Sequence, residues 1–96
     1  MIDVLLIELE QTMKTHGLWS ETPPKADAFM STAPFCYDSM SFENWLQYVF
    51  IVRFKQLIAA KQALPRGANI SPMAEQMLAE YVDVITVIKK IDKALS

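Results

Sequence analysis

One histidine and one cysteine are all that the chain offers of the two most reactive side chains. A metal centre needs several convergent His, Cys or carboxylate ligands, and there is neither an HExxH segment nor a Cys pair. Cofactor and metal sites are therefore not expected. A lone cysteine closes no internal disulfide, which fits a reducing compartment. Gly17 and Gly67 are the two glycines, each isolated, so there is no glycine-rich loop to cradle a phosphate. Basic charge is not in excess either: the net charge is −2 and the nine Lys and Arg are scattered. Nucleic-acid binders draw most of their affinity from phosphate contacts and carry a basic stripe. Here the densest group, Lys89, Lys90 and Lys93, falls on the solvated face of the last helical segment, and no direct nucleic-acid binding is expected. Long apolar runs are missing too. The run 48–52 stops at Arg53, against about 20 residues for a membrane span. The start, MIDVLLIELEQ, lacks the basic region of a signal peptide. No membrane association is expected, and the chain reads as cytoplasmic.

What is present is apolar side chains, 52% of 96 residues and 10% aromatic. That is a folding composition, and the length corresponds to one domain, residues 1–96. Ile2, Leu5, Leu6, Leu9 and Met13 recur at helical spacing, which predicts a first helix from Ile2 to His16 with Gly17 as its stop. Pro23, Pro24 and Pro34 then forbid a long helix across 18–40. This stretch carries Trp19, Phe29, Met30, Phe35, Tyr37 and Met40, a load that disordered linkers avoid. It reads as an ordered loop packed over the bundle.

The second helix is predicted over Phe42–Gln62, with Ser41 as N-cap and Glu43 in its first turn. At 100° per residue, Phe42, Trp45, Leu46, Val49, Phe50, Val52 and Leu57 form one wide arc, opposite Glu43, Asn44, Gln47 and Lys55. Ile51, Phe54 and Ile58 intrude on the polar side as a second apolar stripe, which marks a rod contacted on both flanks. A turn rich in Pro and Gly follows at 64–70, and Ser71-Pro72 opens the next helix as N-cap and first position. From Pro72 to Leu95 the positions Met73, Met77, Tyr81, Val84, Ile88, Ile91 and Leu95 keep one stripe. They permit either one helix or two, with a break at 80–83 and Asp83 as a new cap. The expected fold is all-α, a small bundle of three to four helices with a long ordered loop between the first two.

Trp19, Ser31-Thr32, Pro34-Phe35, Asp38, Met40, Glu43, Trp45-Leu46-Gln47, Phe50-Ile51 and Arg53 resemble the signature of the YqcC family. Leu64-Pro65, Ile70, Pro72, Ile91-Asp92 and Leu95 continue the resemblance over nearly the whole chain. These are small bacterial proteins that form a domain of unknown function. The resemblance implies an all-helical bundle and supplies no established activity. Members are often encoded beside a tRNA pseudouridine synthase, which implies an accessory role in RNA modification. The chain departs from the family in two places. Val52 stands where relatives have Pro before the Arg, which removes an expected kink. The segment 79–84 is short where relatives have a polar turn.

Among single residues, His16 suits the end of a helix, where an imidazolium complements the dipole. Cys36 would need a base to act as a nucleophile, and His16 is the one histidine available. Glu8 and Glu10 do not face the same way on a helix, and Asp38 and Glu43 read as partners of a helix start. Arg53 falls on the apolar arc of the second helix, so it must be paired or must snorkel. Asp92 is the expected partner, then Asp38. With Phe35 and Trp45 these residues form a candidate polar cluster or a pocket for a small acidic ligand. The stripe Ile51, Phe54 and Ile58, joined by Val4 and Ile7, is a candidate interface. The expected function is a non-enzymatic protein-interaction module that forms a homodimer. The alternatives are an accessory protein of a tRNA-modifying enzyme and a binder of a small acidic ligand near Arg53.

Overall fold

The computed structural model describes residues 2–96. Four helices and no strands are found among them: α1 (Ile2–Thr15), α2 (residues 42–59), α3 (Ser71–Met77) and α4 (Val82–Ala94). α1 lies between α2 and α4 and runs antiparallel to both. Ion pairs mark the register: Glu8 with Lys90 and His16 with Asp83 towards α4, and Glu10 with Lys55 towards α2. The buried residues form one cluster to which all four helices contribute.

α1 forms as its stripe dictates, burying Ile2, Leu6, Leu9 and Met13. It ends on Gly17 at φ +69°. The Gly17 N–H donates to the Lys14 carbonyl at 3.1 Å and the Leu18 N–H to the Met13 carbonyl at 2.9 Å. This is a Schellman cap, in which a left-handed residue lets the chain return to the last open carbonyls.

α2 starts on Ser41, whose Oγ accepts the Asn44 N–H at 3.3 Å. Its middle, Leu46–Ile51, is wound as a π-helix, which takes in an extra residue. The consequence is a change of face. Buried Phe42, Leu46, Phe50 and Phe54, followed by half-buried Ile58, fall on every fourth residue, with buried Ile51 beside them. Sixteen residues of α-helix turn through about 1600°, roughly 160° past four whole turns, so a regular α-helix would swing these side chains off one side. The inserted residue removes about 100° of that drift. What the α-helical period divides into two stripes is therefore one stripe with a slip. Ile51 and Phe54 lie in the core of this chain at 1% and 6% exposure. That corrects the expectation of a second, outward stripe. Val52 and Arg53 take the exposed side instead. α2 closes with its own Schellman cap, with Lys61 left-handed at φ +56°.

The stretch from Pro72 to Leu95 is two helices. α3 ends at Met77, and Leu78 to Tyr81 leave helical geometry before α4 starts at Val82. The break uncouples the phase of α3, which buries Ala74, with Leu78 just beyond its end also buried, while Met77 stays exposed. Ser71 is the first residue of α3 and not its cap. Asp92, reaching over from α4, accepts the backbone N–H groups of Ile70 and Ser71 at 3.0 and 2.8 Å. A carboxylate at a helix start satisfies open donors and complements the dipole. Among the described residues, no helix is long and apolar enough to cross a membrane.

Candidate functional site

The loop 18–41 is ordered and packs on α2. Three devices hold it. The first is Gln47, which is buried despite being polar. Its Oε1 accepts the Ser20 N–H at 2.8 Å, and its Nε2 donates to the Ser20 carbonyl at 2.7 Å. The Tyr48 hydroxyl donates to the same carbonyl at 3.0 Å. A side chain expected on the polar face of α2 thus clamps the loop. The second device is the pair of consecutive left-handed residues Phe35 and Cys36, at φ +57° and +50°. Such backbone is unfavourable away from glycine. It turns Phe35 onto Trp45 (4.9 Å between ring centres) and Phe42 (5.9 Å). From there a chain of rings runs along α2 through Phe50 to Phe54. The third is Ser31, whose Oγ accepts the Ala33 N–H and donates to Asp38.

These contacts rearrange the sequence-derived cluster. Phe35 and Trp45 come together, as building blocks of the loop–helix seam. Asp92 serves the α3 start and Asp38 serves Ser31, so neither pairs with Arg53. The physical reason is the slip in α2, which turns Arg53 outward. Among the described residues, no carboxylate lies within salt-bridge distance of Arg53. Instead it borders an open cleft of about 390 Å³ between the loop and α2, lined also by Phe29, Ser31, Cys36, Tyr48, Val49, Val52 and Gln56. Phe29 and the neighbouring Met30 come from the loop, and the sequence placed neither of them near Arg53. The every-fourth-residue spacing along α2 is the signal that finds this arrangement.

Val4 and Ile7 are exposed at 59% and 57%. With Ile58 half-buried beside them, Ile7 borders a groove between α1 and α2 that also includes Leu6 and Ala59. Of the five candidate interface residues, Val4, Ile7 and Ile58 therefore remain accessible, and Ile51 and Phe54 do not.

His16, Asp83 and Glu10 are engaged structurally. His16 Nε2 lies 2.7 Å from the Asp83 carboxylate, and its ring packs edge-on against Tyr81. The hydrogen bond from His16 holds the Asp83 carboxyl below its usual range. Glu10 is held below its usual range by Lys14, with Lys55 adding to this and burial opposing it. Cys36 is half-buried. Among the described residues, no group of three or more His, Cys, Asp or Glu could hold a metal ion.

Residues 1–94 match the family DUF446, described as tRNA pseudouridine synthase C. An uncharacterized protein of Haemophilus influenzae is 45% identical over 76 residues, covering 79% of this chain and 72% of that protein. The uncharacterized protein YqcC of Escherichia coli is 38% identical over 71 residues, covering 74% of this chain and 65% of its own length. A tRNA pseudouridine synthase C of Pectobacterium carotovorum is 41% identical over 62 residues, which make up 65% of this chain and 16% of that protein. The solution NMR structure of Escherichia coli YqcC superimposes with a TM-score of 0.81 and 31% identity, covering 94% of this chain and 80% of that one. It shares the all-helical fold.

Proposed function

The chain belongs to the DUF446 family, and from that footing we propose that it is a non-enzymatic interaction domain that docks onto a tRNA pseudouridine synthase. One observation carries this reading: a segment similar to this chain is a small part of a protein named as such a synthase. A domain joined to an enzyme is held near it at an effective concentration of order millimolar. As a separate chain, the same domain must reach that enzyme through its own surface. The internal chemistry agrees with a non-catalytic role. Residues of the family signature are committed to structure: Gln47 clamps Ser20, Trp45 packs edge-to-face with Phe35, and Asp92 caps α3. His16 is tied to Asp83, which leaves Cys36 without a base. The reading takes protein and not RNA as the partner, because the net charge is −2 and, apart from Lys89, Lys90 and Lys93, the basic residues are scattered.

The test is light scattering on a mixture of the purified chain and a tRNA pseudouridine synthase C from the same cell, at moderate salt. A joint species is expected. Two separate species at tens of micromolar would reject the reading.

Self-association is a second reading, favoured by the apolar groove that Ile7 and Ile58 line beside exposed Val4. A C2 dimer would set this patch against its own copy. Light scattering on the chain alone checks it, with twice the chain mass expected.

A further inference from the structure

Three of the chain's six methionines line one pocket. Met40 comes from the loop just ahead of α2, and Met73 and Met77 come from α3. Residues four apart on a helix share a face, so the last two lie one turn apart on the same side. Filling gaps in a core is the ordinary use of methionine, and it accounts for part of this set. Met13 is fully buried and Met73 packs at the edge of the core, but Met40 and Met77 do not belong to that cluster. Met77 is 53% exposed. The pocket measures about 180 Å³ and lies between the loop, the start of α2 and α3. Phe35, Tyr37 and Phe42 supply aromatic walls, and Ser41 and Glu43 complete the lining.

A thioether sulfur is neutral, soft and polarisable. Carboxylate, carbonyl and water oxygens suit hard ions such as Mg²⁺ and Ca²⁺, whereas thioethers favour Cu(I). Aromatic faces attract a cation as well. The positive end of α2 begins at this pocket and opposes one. Glu43, in the first turn of that helix, offsets it with a carboxylate on the same pocket.

We propose that Met40, Met73 and Met77 form a binding site for Cu(I), held by three thioether sulfurs. Binding changes no oxidation state and displaces no proton from the ligands. The site is independent of the docking reading and stands or falls without it.

The test is an anaerobic titration of the full chain with Cu(I), supplied as its acetonitrile complex, with the methionine methyl groups labelled with ¹³C. The chain carries Cys36→Ser, which removes the competing thiol. The methyl resonances of Met40, Met73 and Met77 are expected to shift together and to stop at one equivalent, while those of Met13 and Met30 stay in place. Met13 sits in the core and reports loss of folding; Met30 is 80% exposed and reports adventitious surface binding. The double variant Met73→Leu, Met77→Leu keeps side-chain volume. In competition with bicinchoninate it is expected to bind Cu(I) more than about tenfold more weakly, a loss seen even for outer-shell partners of a metal. Binding that requires Cys36 overturns the site, as does a shift of Met30 equal to those of the three. Undiminished binding by the double variant overturns it too. Should that variant not fold, the resonances of the Cys36→Ser chain decide alone.

Discussion

α1 and α2 are both apolar rods that pack into the same core, yet they obey different periods. α1 repeats at 3.6 residues from Ile2 to Met13 and can be read directly. α2 places Phe42, Leu46, Phe50 and Phe54 at every fourth position and holds them on one side, with Ile51 beside them, by taking in a π-turn at Leu46–Ile51. The difference teaches that two stripes on one helix need not mean two partners. A change of winding partway along produces the same pattern, and it also decides which charged residue is left facing water.

Removing a residue from each rod breaks the comparison most severely. Deleting Thr12, between Leu9 and Met13, turns Met13 and the cap that follows by about 100°. The chain is expected to lose its cooperative thermal transition. Deleting Val49 from the π-turn leaves Leu46, Gln47, Phe50 and Ile51 in place and lets α2 rewind as plain α-helix. That variant is expected to stay folded, with a loss of about 1–3 kcal/mol. Circular dichroism melts distinguish the two cases, and equal damage from both deletions would contradict the register slip.

A finer test uses the turn after the slip. In an unbroken α-helix Leu57 would continue the arc of Phe42 and Leu46, and Phe54 would lie off it. The structure reverses their ranks: Phe54 is buried against Phe50 at 4.6 Å between ring centres, and Leu57 is half-buried. Phe54→Ala is expected to cost about 3–5 kcal/mol, and Leu57→Ala about 1 kcal/mol. Urea denaturation measures both, and the opposite ranking would restore the two-stripe reading.

The same contrast explains what could be read from the sequence. Helix stops at Gly17 and the Ser41 cap are local: the signal lies within four residues of the effect. The packed loop was legible because its aromatic load has no place in a disordered linker. Arg53 and Asp92 were misjudged for different reasons. The direction of Arg53 depends on helix winding several residues upstream, which a fixed 100° step does not capture. Asp92 caps a helix that starts 21 residues earlier in the chain, and nothing local to either segment announces that contact. Gln47 looked solvent-facing because its partners are the backbone groups of Ser20, and backbone acceptors leave no mark in a sequence. The break at 78–81 is masked in the sequence because Met73, Met77, Tyr81 and Val84 keep helical spacing across it, although α3 does not bury Met77.

The two rods also end alike but with different residues. Gly17 and Lys61 occupy the same left-handed cap position at φ +69° and +56°. No atom lies within 4 Å of a Cβ built on Gly17, so Gly17→Ala tests backbone strain without a clash. It is expected to destabilise by about 1 kcal/mol. Lys61→Gly relieves the same strain and is expected to stabilise by a few tenths to about 1 kcal/mol, since the added freedom of the unfolded chain takes back part of the gain. Thermal melts that moved in the same direction for both variants would show that the caps are not equivalent.

The smallest expected effect concerns how α1 is tied to its two neighbours. Glu10 bonds Lys14 at 2.8 Å within α1 and Lys55 of α2 at 3.2 Å, whereas Asp83 of α4 bonds His16. Both carboxyls titrate below their usual range in the folded chain and return to it on unfolding. Stability from such groups is complete above the unfolded value and is lost as pH falls through the folded one. The melting temperature should therefore hold between neutral pH and about 5 and drop below about 4.5. The two ties differ in shielding: the Glu10 side chain is 21% exposed and that of Asp83 is 58% exposed. Water and salt weaken the second more, so Glu10→Gln should flatten the acid limb more than Asp83→Asn. Melts of the three chains between pH 7 and pH 3.5 decide the order. An acid limb for Glu10→Gln no flatter than that of the wild type would mean that α1 is held to α2 by packing alone.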